Sequence, residues 1–182
     1  MKRIVLASKS PRRKQLLKER FEEFDVDVSD VVETFPNDIL KVDVPVYLAK
    51  LKAEDVFKRN NDALVIGADT VVIINDQILG KPIDKADAIN MISMLSGNTH
   101  IVVTGVCLKC SEYIKTFSCI TEVTFKKMSN EEIIQYCELN SIYDKAGAYA
   151  IQEDAAKYIV GIKGDYNNVV GLPTEMIKQY IK

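Results

Sequence analysis

The chain has 182 residues, 47% of them apolar and 27% charged. That composition belongs to a folded globular protein and excludes a largely disordered one, and the length suits one domain with a sizeable core. The net charge of −2 counts against a non-specific nucleic-acid binder, which carries a basic excess. It leaves room for a local basic cluster that holds a small anion.

No apolar run approaches the roughly 20 residues that span a bilayer. The short apolar start at residues 4–7 is followed at once by Lys9, Arg12 and Arg13, so it reads as a strand rather than a leader. A cytoplasmic protein, with neither membrane nor nucleic acid as partner, is expected. Residues 3–7 form the first expected strand. Residues 11–20 read as a helix, with Ser10 at the N-cap and Pro11 in the first turn. Residues 24–29 alternate with period two, as a half-buried strand does. Residues 45–59 read as a second helix, again with proline at its start.

Leu64–Ile74 is apolar and β-branched, which predicts one strand or a bent pair. Asn75-Asp76-Gln77 is a turn, and Ile78-Leu79 begins the return. Asp84 caps a helix that ends near Ser96, with Gly97 just beyond it. Thr99–Lys109 and residues 113–125 predict a long hairpin. Ser129-Asn130-Glu131-Glu132 is a capping box opening a helix to about Leu139. Residues 157–162 form a late strand, and residues 173–181 a closing helix. Strands and helices that alternate, with hairpins among them, predict an α/β fold on a mixed sheet.

Cys107 and Cys110 form a CxxC, but no second pair has matching spacing and His100 is the only histidine. The four cysteines, Cys107, Cys110, Cys119 and Cys137, therefore read as structural free thiols rather than a zinc or redox site.

Several residues break local rules. Lys9, Arg12, Arg13 and Lys14 crowd the N-terminus of the first helix, with Ser8 and Ser10 beside them. That end presents free N–H groups and the positive end of the helix dipole, where acids belong. Such a cluster repels itself unless an anion fills it, which suits a di- or triphosphate. A solvated helix face would carry the same charges. No Walker A loop is present. Asp69 interrupts an apolar strand, where a carboxylate is costly to bury without a partner or a metal; a capped strand break is the alternative. Lys81, between Gly80 and Pro82, suits a fixed positive charge or an ordinary turn. Residues 143–152 hold small residues and two tyrosines in a loop that enters a strand; it could meet a base or sugar, with Gln152 at a base edge, or pack around a bend. Glu33 and Lys52 carry no signal of their own.

Taken in order, these segments resemble the Maf family of nucleotide pyrophosphatases. The matching segments are Leu6-Ala7-Ser8-Lys9-Ser10-Pro11-Arg12-Arg13, Leu48-Ala49-Lys50-Leu51-Lys52-Ala53, Gly67-Ala68-Asp69-Thr70, Leu79-Gly80-Lys81-Pro82, Thr104-Gly105-Val106, Lys145-Ala146-Gly147-Ala148-Tyr149 and the run from Gly164 to Pro173. They cover the chain nearly end to end, which implies a single domain over residues 1–182. The resemblance implies a two-lobed α/β structure with a cleft, similar to the inosine triphosphate pyrophosphatases. It implies hydrolysis of a nucleoside triphosphate to the monophosphate and pyrophosphate, with a divalent metal cation, Mg²⁺ or Mn²⁺.

By the same resemblance, Ser8, Arg12, Arg13, Lys52 and Lys81 line the phosphate side. Glu33 and Asp69 lie near the metal, and Asp69 is the proton acceptor. Arg12, Thr70 and Gln152 fall on the specificity positions of the subgroup acting on dTTP and UTP. The alternatives are a pyrophosphatase for 7-methyl-GTP or other modified purine nucleotides, and a non-catalytic nucleotide-binding regulator of septum formation. Family members are often homodimers, and no interface signal stands out here. The chain departs from the family pattern at Glu153-Asp154, where glycine often follows the glutamine, and at Lys9, where a small residue is common.

Overall fold

In the computed structural model, residues 2–181 are described; Met1 and Lys182, the ends of the expected domain, lie outside the described residues. One mixed, seven-stranded sheet runs through the chain in the order β2-β1-β3-β5-β6-β7, with β4 paired to β3. Its spine is three long strands, β3 (Leu64–Ile74), β5 (Thr99–Lys109) and β6 (Ile114–Phe125). They pair antiparallel, β3 with β5 and β5 with β6. The short β1 (Ile4–Leu6) and β2 (Asp25–Val26) pair in parallel at one edge, and β7 (Ile159–Lys163) closes the other.

The β3 strand is a single 11-residue strand, not a bent pair. It turns through Asn75 and Asp76, both at positive φ, into β4 (Gln77–Leu79). Asn and Asp tolerate that left-handed region, which tight hairpins require.

Alternation along β3 sends side chains to two different cores. Leu64, Ile66 and Ala68 join Leu6, Leu16, Leu17, Leu172 and Ile177 on one face, under α1 (Pro11–Lys18) and α6 (Thr174–Lys178). Val65 and Val71 face α2 (Val44–Phe57) on the other. Farther along, Val72 and Ile74 enter a separate large cluster with α3 (Lys85–Leu95), α4 (Asn130–Tyr136), Tyr149 and Tyr158. The long strands β3 and β5 contribute to every one of these clusters.

The cleft arises from strand length. β1 covers the edge of β3 only at Leu64–Ile66, and β4 covers it only at Val72–Ile74. Between them the β3 edge from Gly67 to Val71 has no strand beside it. In open α/β sheets, ligands bind in such crevices beyond the carboxyl ends of parallel strands, and here that is the end of β1.

Caps fall where the sequence placed them. The Ser10 hydroxyl accepts from Arg13 N, the Asp84 carboxylate from Asp87 N, and Ser129 with Glu132 forms the capping box. Other elements differ. The strand expected at 24–29 is only two residues, both exposed. It lies at the sheet edge, and Asp27 turns away to meet Arg59 and Asn60 on the far side. Residues 143–152 do not enter a strand. They belong to a run of short 3₁₀ turns, with Gly147 and Ala148 at positive φ, and the next strand starts at Ile159. The closing helix is only Thr174–Lys178, and a helix not expected from the sequence, α5 (Tyr166–Val170), precedes it, capped by Asp165.

No helix of the described residues is long and apolar enough to cross a membrane. The four cysteines are free. Burial pushes the Cys107 thiol up to about 12 and those of Cys119 and Cys137 up to about 11. None of these three is a ready thiolate, the form that metal and redox chemistry uses.

His100 is buried on β5, with Nε2 2.7 Å from the Tyr149 hydroxyl and Nδ1 without a partner. Burial lowers its pKa to about 4. The unfolded chain takes up a proton near the ordinary value of about 6.5, while the folded chain resists until pH falls near 4. Stability should thus be full above about pH 6.5 and fall as pH drops through that window. Between about pH 7 and pH 5 the loss from this one group should be about 2 kcal/mol. Urea unfolding of the wild type and His100→Gln at both pH values checks this; equal slopes would show that His100 is not responsible.

Candidate active site

Asp69 and Lys52 form the centre of the site. Asp69 lies on β3 facing α2, and Lys52 lies on the buried face of that helix. Two glycines let the helix come this close. A Cβ on Gly67 would lie 2.2 Å from the Ala49 carbonyl oxygen, and one on Gly105 would lie 2.2 Å from the Pro45 carbonyl carbon. Seated there, α2 places Lys52 Nζ 2.7 Å from Asp69 Oδ1 and 3.0 Å from Glu33 Oε2.

Burial raises the Asp69 pKa above the ordinary aspartate value, against the opposing pull of Lys52 and Arg13; the Glu33 charge adds to the rise. Asp69 Oδ2 has no protein hydrogen bond among the described residues, which leaves it free for a water. Glu33 reaches the site from an irregular segment, residues 27–43. The root of that segment is tied to α2, where Asp55 accepts from the Ser29 hydroxyl and Asp30 N.

The anion side lies at the β1–α1 turn. Arg13 is half-buried and held from three directions. Its Nε donates to the Gly171 carbonyl at 2.8 Å, and its Nη atoms to Thr70 Oγ1 at 3.0 Å and Ser8 Oγ at 3.3 Å. Burial lowers its pKa, but a guanidinium stays protonated in proteins. Thr70 points to the opposite face of β3 from Asp69 and meets Thr104 Oγ1 at 2.9 Å. Behind them, the fully buried Asn168 binds Thr104 N, the Val102 carbonyl and the Thr121 hydroxyl. This network fixes the threonines and, through Gly171, the arginine.

Arg12 crosses the cleft to Asp144 at 3.3 Å. Lys81 lines the wall at the end of β4, where Gly147 N donates to the Gly80 carbonyl and pins the turn. Gln152 lines the far end, exposed. The cleft holds about 830 Å³, within the usual range for small-molecule sites.

The site residues that the resemblance implies all border one cleft: Ser8, Arg12, Arg13, Glu33, Lys52, Asp69, Thr70, Lys81 and Gln152. So does Lys9, while Lys14 of the same basic cluster does not line the cleft. Its cationic side chains are Lys9, Arg12, Arg13, Lys52, Lys81 and Lys145, against Asp30, Glu33, Asp69 and Asp144. The excess is positive although the chain is net negative, so the cleft concentrates attraction for an anion. Val72, Leu79, Val102, Tyr149 and Ile151 supply an apolar wall.

Sequence reasoning gave no individual role to Asp144, Lys145, Thr104 and Asn168, although all four lie in segments it singled out. Lys145 could have been noticed, since a lone cation beside Ala146, Gly147 and Ala148 needs partners if buried. Asn168 could not, because its role depends on the fold of strands far away in sequence.

Two carboxylate oxygens converge on one ammonium nitrogen here, so Glu33 and Asp69 can also converge on a cation. An all-oxygen donor set suits Mg²⁺ or Mn²⁺. Among the described residues no cluster of three or more His, Cys, Asp or Glu is placed to hold a metal. Any such ion would need water and ligand oxygens as well, which is how magnesium is usually held beside phosphates.

The chain is similar to known proteins over nearly its whole length. A protein of Alkaliphilus metalliredigens named dTTP/UTP pyrophosphatase is 47% identical over 176 residues, 95% of this chain and 91% of that protein. One from Bacillus cytotoxicus with the same name is 44% identical over all of this chain and 95% of its own length. The solved structure of the Staphylococcus aureus Ham1 protein superposes with a TM-score of 0.57 at 16% identity, covering 99% of this chain and 98% of that one; that likeness shows the fold. The family described as "Maf-like protein" matches residues 3–182, and the chain belongs to the Maf family.

Proposed function

We propose that this chain hydrolyses dTTP and UTP to the nucleoside monophosphate and pyrophosphate. The observation that carries the reading is Asp69, buried and raised in pKa, beside a cleft whose cationic side chains outnumber its carboxylates. The relatives named dTTP/UTP pyrophosphatase match nearly the whole chain, and Arg12, Thr70 and Gln152 all border the cleft.

Asp69 Oδ2 accepts a proton from a water while the water oxygen attacks the α-phosphorus. The bond from that phosphorus to the bridging oxygen breaks, and pyrophosphate leaves with the electron pair. The raised pKa makes Asp69 a better base than an exposed aspartate. Lys52 holds Asp69 Oδ1 and so fixes the carboxylate. Arg13 and the Ser8 hydroxyl, pinned by their neighbours, are pre-oriented for the phosphates and require little rearrangement as charge builds. Lys9 and Lys81, neither of them paired with a carboxylate among the described residues, take the outer phosphates. Glu33 and Asp69 would hold a divalent cation, which would supply further neutralisation of the triphosphate. Gln152 and Arg12 read the base from the other end of the cleft.

Incubation with Mg²⁺ and a panel of dTTP, UTP, CTP, GTP and 7-methyl-GTP, with products resolved by chromatography, tests this. Monophosphate and pyrophosphate from dTTP and UTP are expected. Turnover of purine nucleotides alone would keep the reaction and discard the specificity. Nucleotide that binds without being consumed would move the chain to the regulator class.

A further inference from the structure

Arg12 and Arg13 are neighbours in sequence but face different parts of the cleft. Arg13 feels the charges of Asp69 and Glu33, so it stands on the reaction side. Arg12 is grouped with Gln152: both also wall a smaller hollow beside α1, with Gln15, Tyr166 and Asn167. What holds Arg12 there is Asp144, which accepts from Arg12 Nη1 through Oδ2 at 3.3 Å.

Asp144 is itself held. Its Oδ1 accepts from Lys145 Nζ at 3.1 Å, and the same ammonium lies 3.1 Å from Glu153 Oε2 and donates to the Ser141 carbonyl. The Lys145 side chain is only 6% exposed. Two of the three ammonium donors bond Ser141 and Asp144, and Glu153 adds an ion-pair contact. Lys145 is therefore already engaged within the protein. It ties Asp144 to Glu153, the residue after Gln152. Burial works against ionisation of Asp144, but Lys145 and Arg12 outweigh it and hold its pKa below the ordinary value.

A carboxylate beside a polyanion site weakens phosphate binding by like-charge repulsion. Its position makes physical sense if it keeps a cation away from the phosphates. We propose that Asp144, anchored by Lys145, is a positioning residue: it holds the Arg12 guanidinium on the base side of the cleft and thereby sets which nucleotide is turned over. The remaining Arg12 N–H groups are left for carbonyl oxygens of a pyrimidine, while Arg13 serves the phosphates. This inference rests on the pyrophosphatase reading above.

Asp144→Asn keeps the shape and removes the charge, and the side chain is 62% exposed, so the variant should fold. The test measures kcat/KM of wild type and variant for dTTP, UTP, dCTP and dGTP, with inhibition by pyrophosphate. The ratio for dTTP over dGTP should fall by about tenfold, within the range that single contacts contribute to discrimination. Pyrophosphate should inhibit the variant more tightly, as the freed Arg12 joins the phosphate side. An equal loss on every substrate, with the ratio unchanged, would overturn the proposal and leave Asp144 a merely structural residue. A wild type that turns over no triphosphate would instead remove the reading beneath it, so the two failures are told apart.

Discussion

Asp69→Asn should lower kcat for dTTP by about 10²- to 10⁴-fold, the usual worth of a positioned general base, while leaving the fold in place. The amide has the same shape as the carboxylate but cannot accept the proton of the attacking water. Its oxygen can still accept from Lys52, and Glu33, 3.0 Å away, still balances the ammonium. Burial already disfavours the ionised carboxylate, so a neutral side chain relieves one cost as it forfeits part of an ion pair. The melting temperature should therefore move by only a few degrees, the scale of about 1 kcal/mol in a chain of this size. Pyrophosphate release and a thermal melt measure both. A variant with full kcat would remove Asp69 from the chemistry. One with no folded baseline would make it a structural residue.

Gly67→Ala and Gly105→Ala should each damage stability and turnover together. Both glycines face α2, where an added Cβ would lie 2.2 Å from helix backbone atoms. Backbone cannot rotate aside as a flexible side chain can, so the helix must lift from the sheet. Overpacking of this kind costs about 1–3 kcal/mol, or several degrees of melting temperature. Gly67 is the more telling position. The turn of helix it touches, Ala49 to Ala53, carries Lys52, and Asp69 lies two residues along the same face of β3. A shift there opens the 2.7 Å contact that fixes the base, so kcat should fall with stability. An unchanged melting curve would mean that α2 is not seated on β3 as described.

How much of this was legible in the sequence depended on whether the signal was local. Ser10, Asp84 and Ser129 are caps, and capping is decided within four residues, so those helix starts were readable. The long strands were readable from apolar runs of β-branched residues. Residues 27–29 and the 3₁₀ segment were not. Their conformation answers to partners such as Arg59, Gly80 and Glu153, which are remote or ambiguous in sequence. The helix Tyr166–Val170 was hidden for a similar reason: it is five residues long, and Asn168 anchors it through bonds to β5 and β6.

The site divides in the same way. Asp69 stood out because a carboxylate in an apolar strand violates a burial rule. The basic cluster stood out because it violates the charge preference of a helix start. Lys52 was invisible beside Lys50, yet helical phase separates them. Leu48, Ala49, Ala53 and Val56 are buried, and Lys52 falls on that stripe while Lys50 is exposed. Glu33 and Asp144 had no such marker, because both sit in irregular segments and acquire their roles only from what they face.

The proposed reaction rests on water attacking the α-phosphorus. Turnover of dTTP in ¹⁸O-labelled water, followed by mass spectrometry of the separated products, tests it most directly. The label should appear in dTMP and be absent from pyrophosphate. Label in pyrophosphate, or release of dTDP with labelled orthophosphate, would place the attack on another phosphorus and contradict the account.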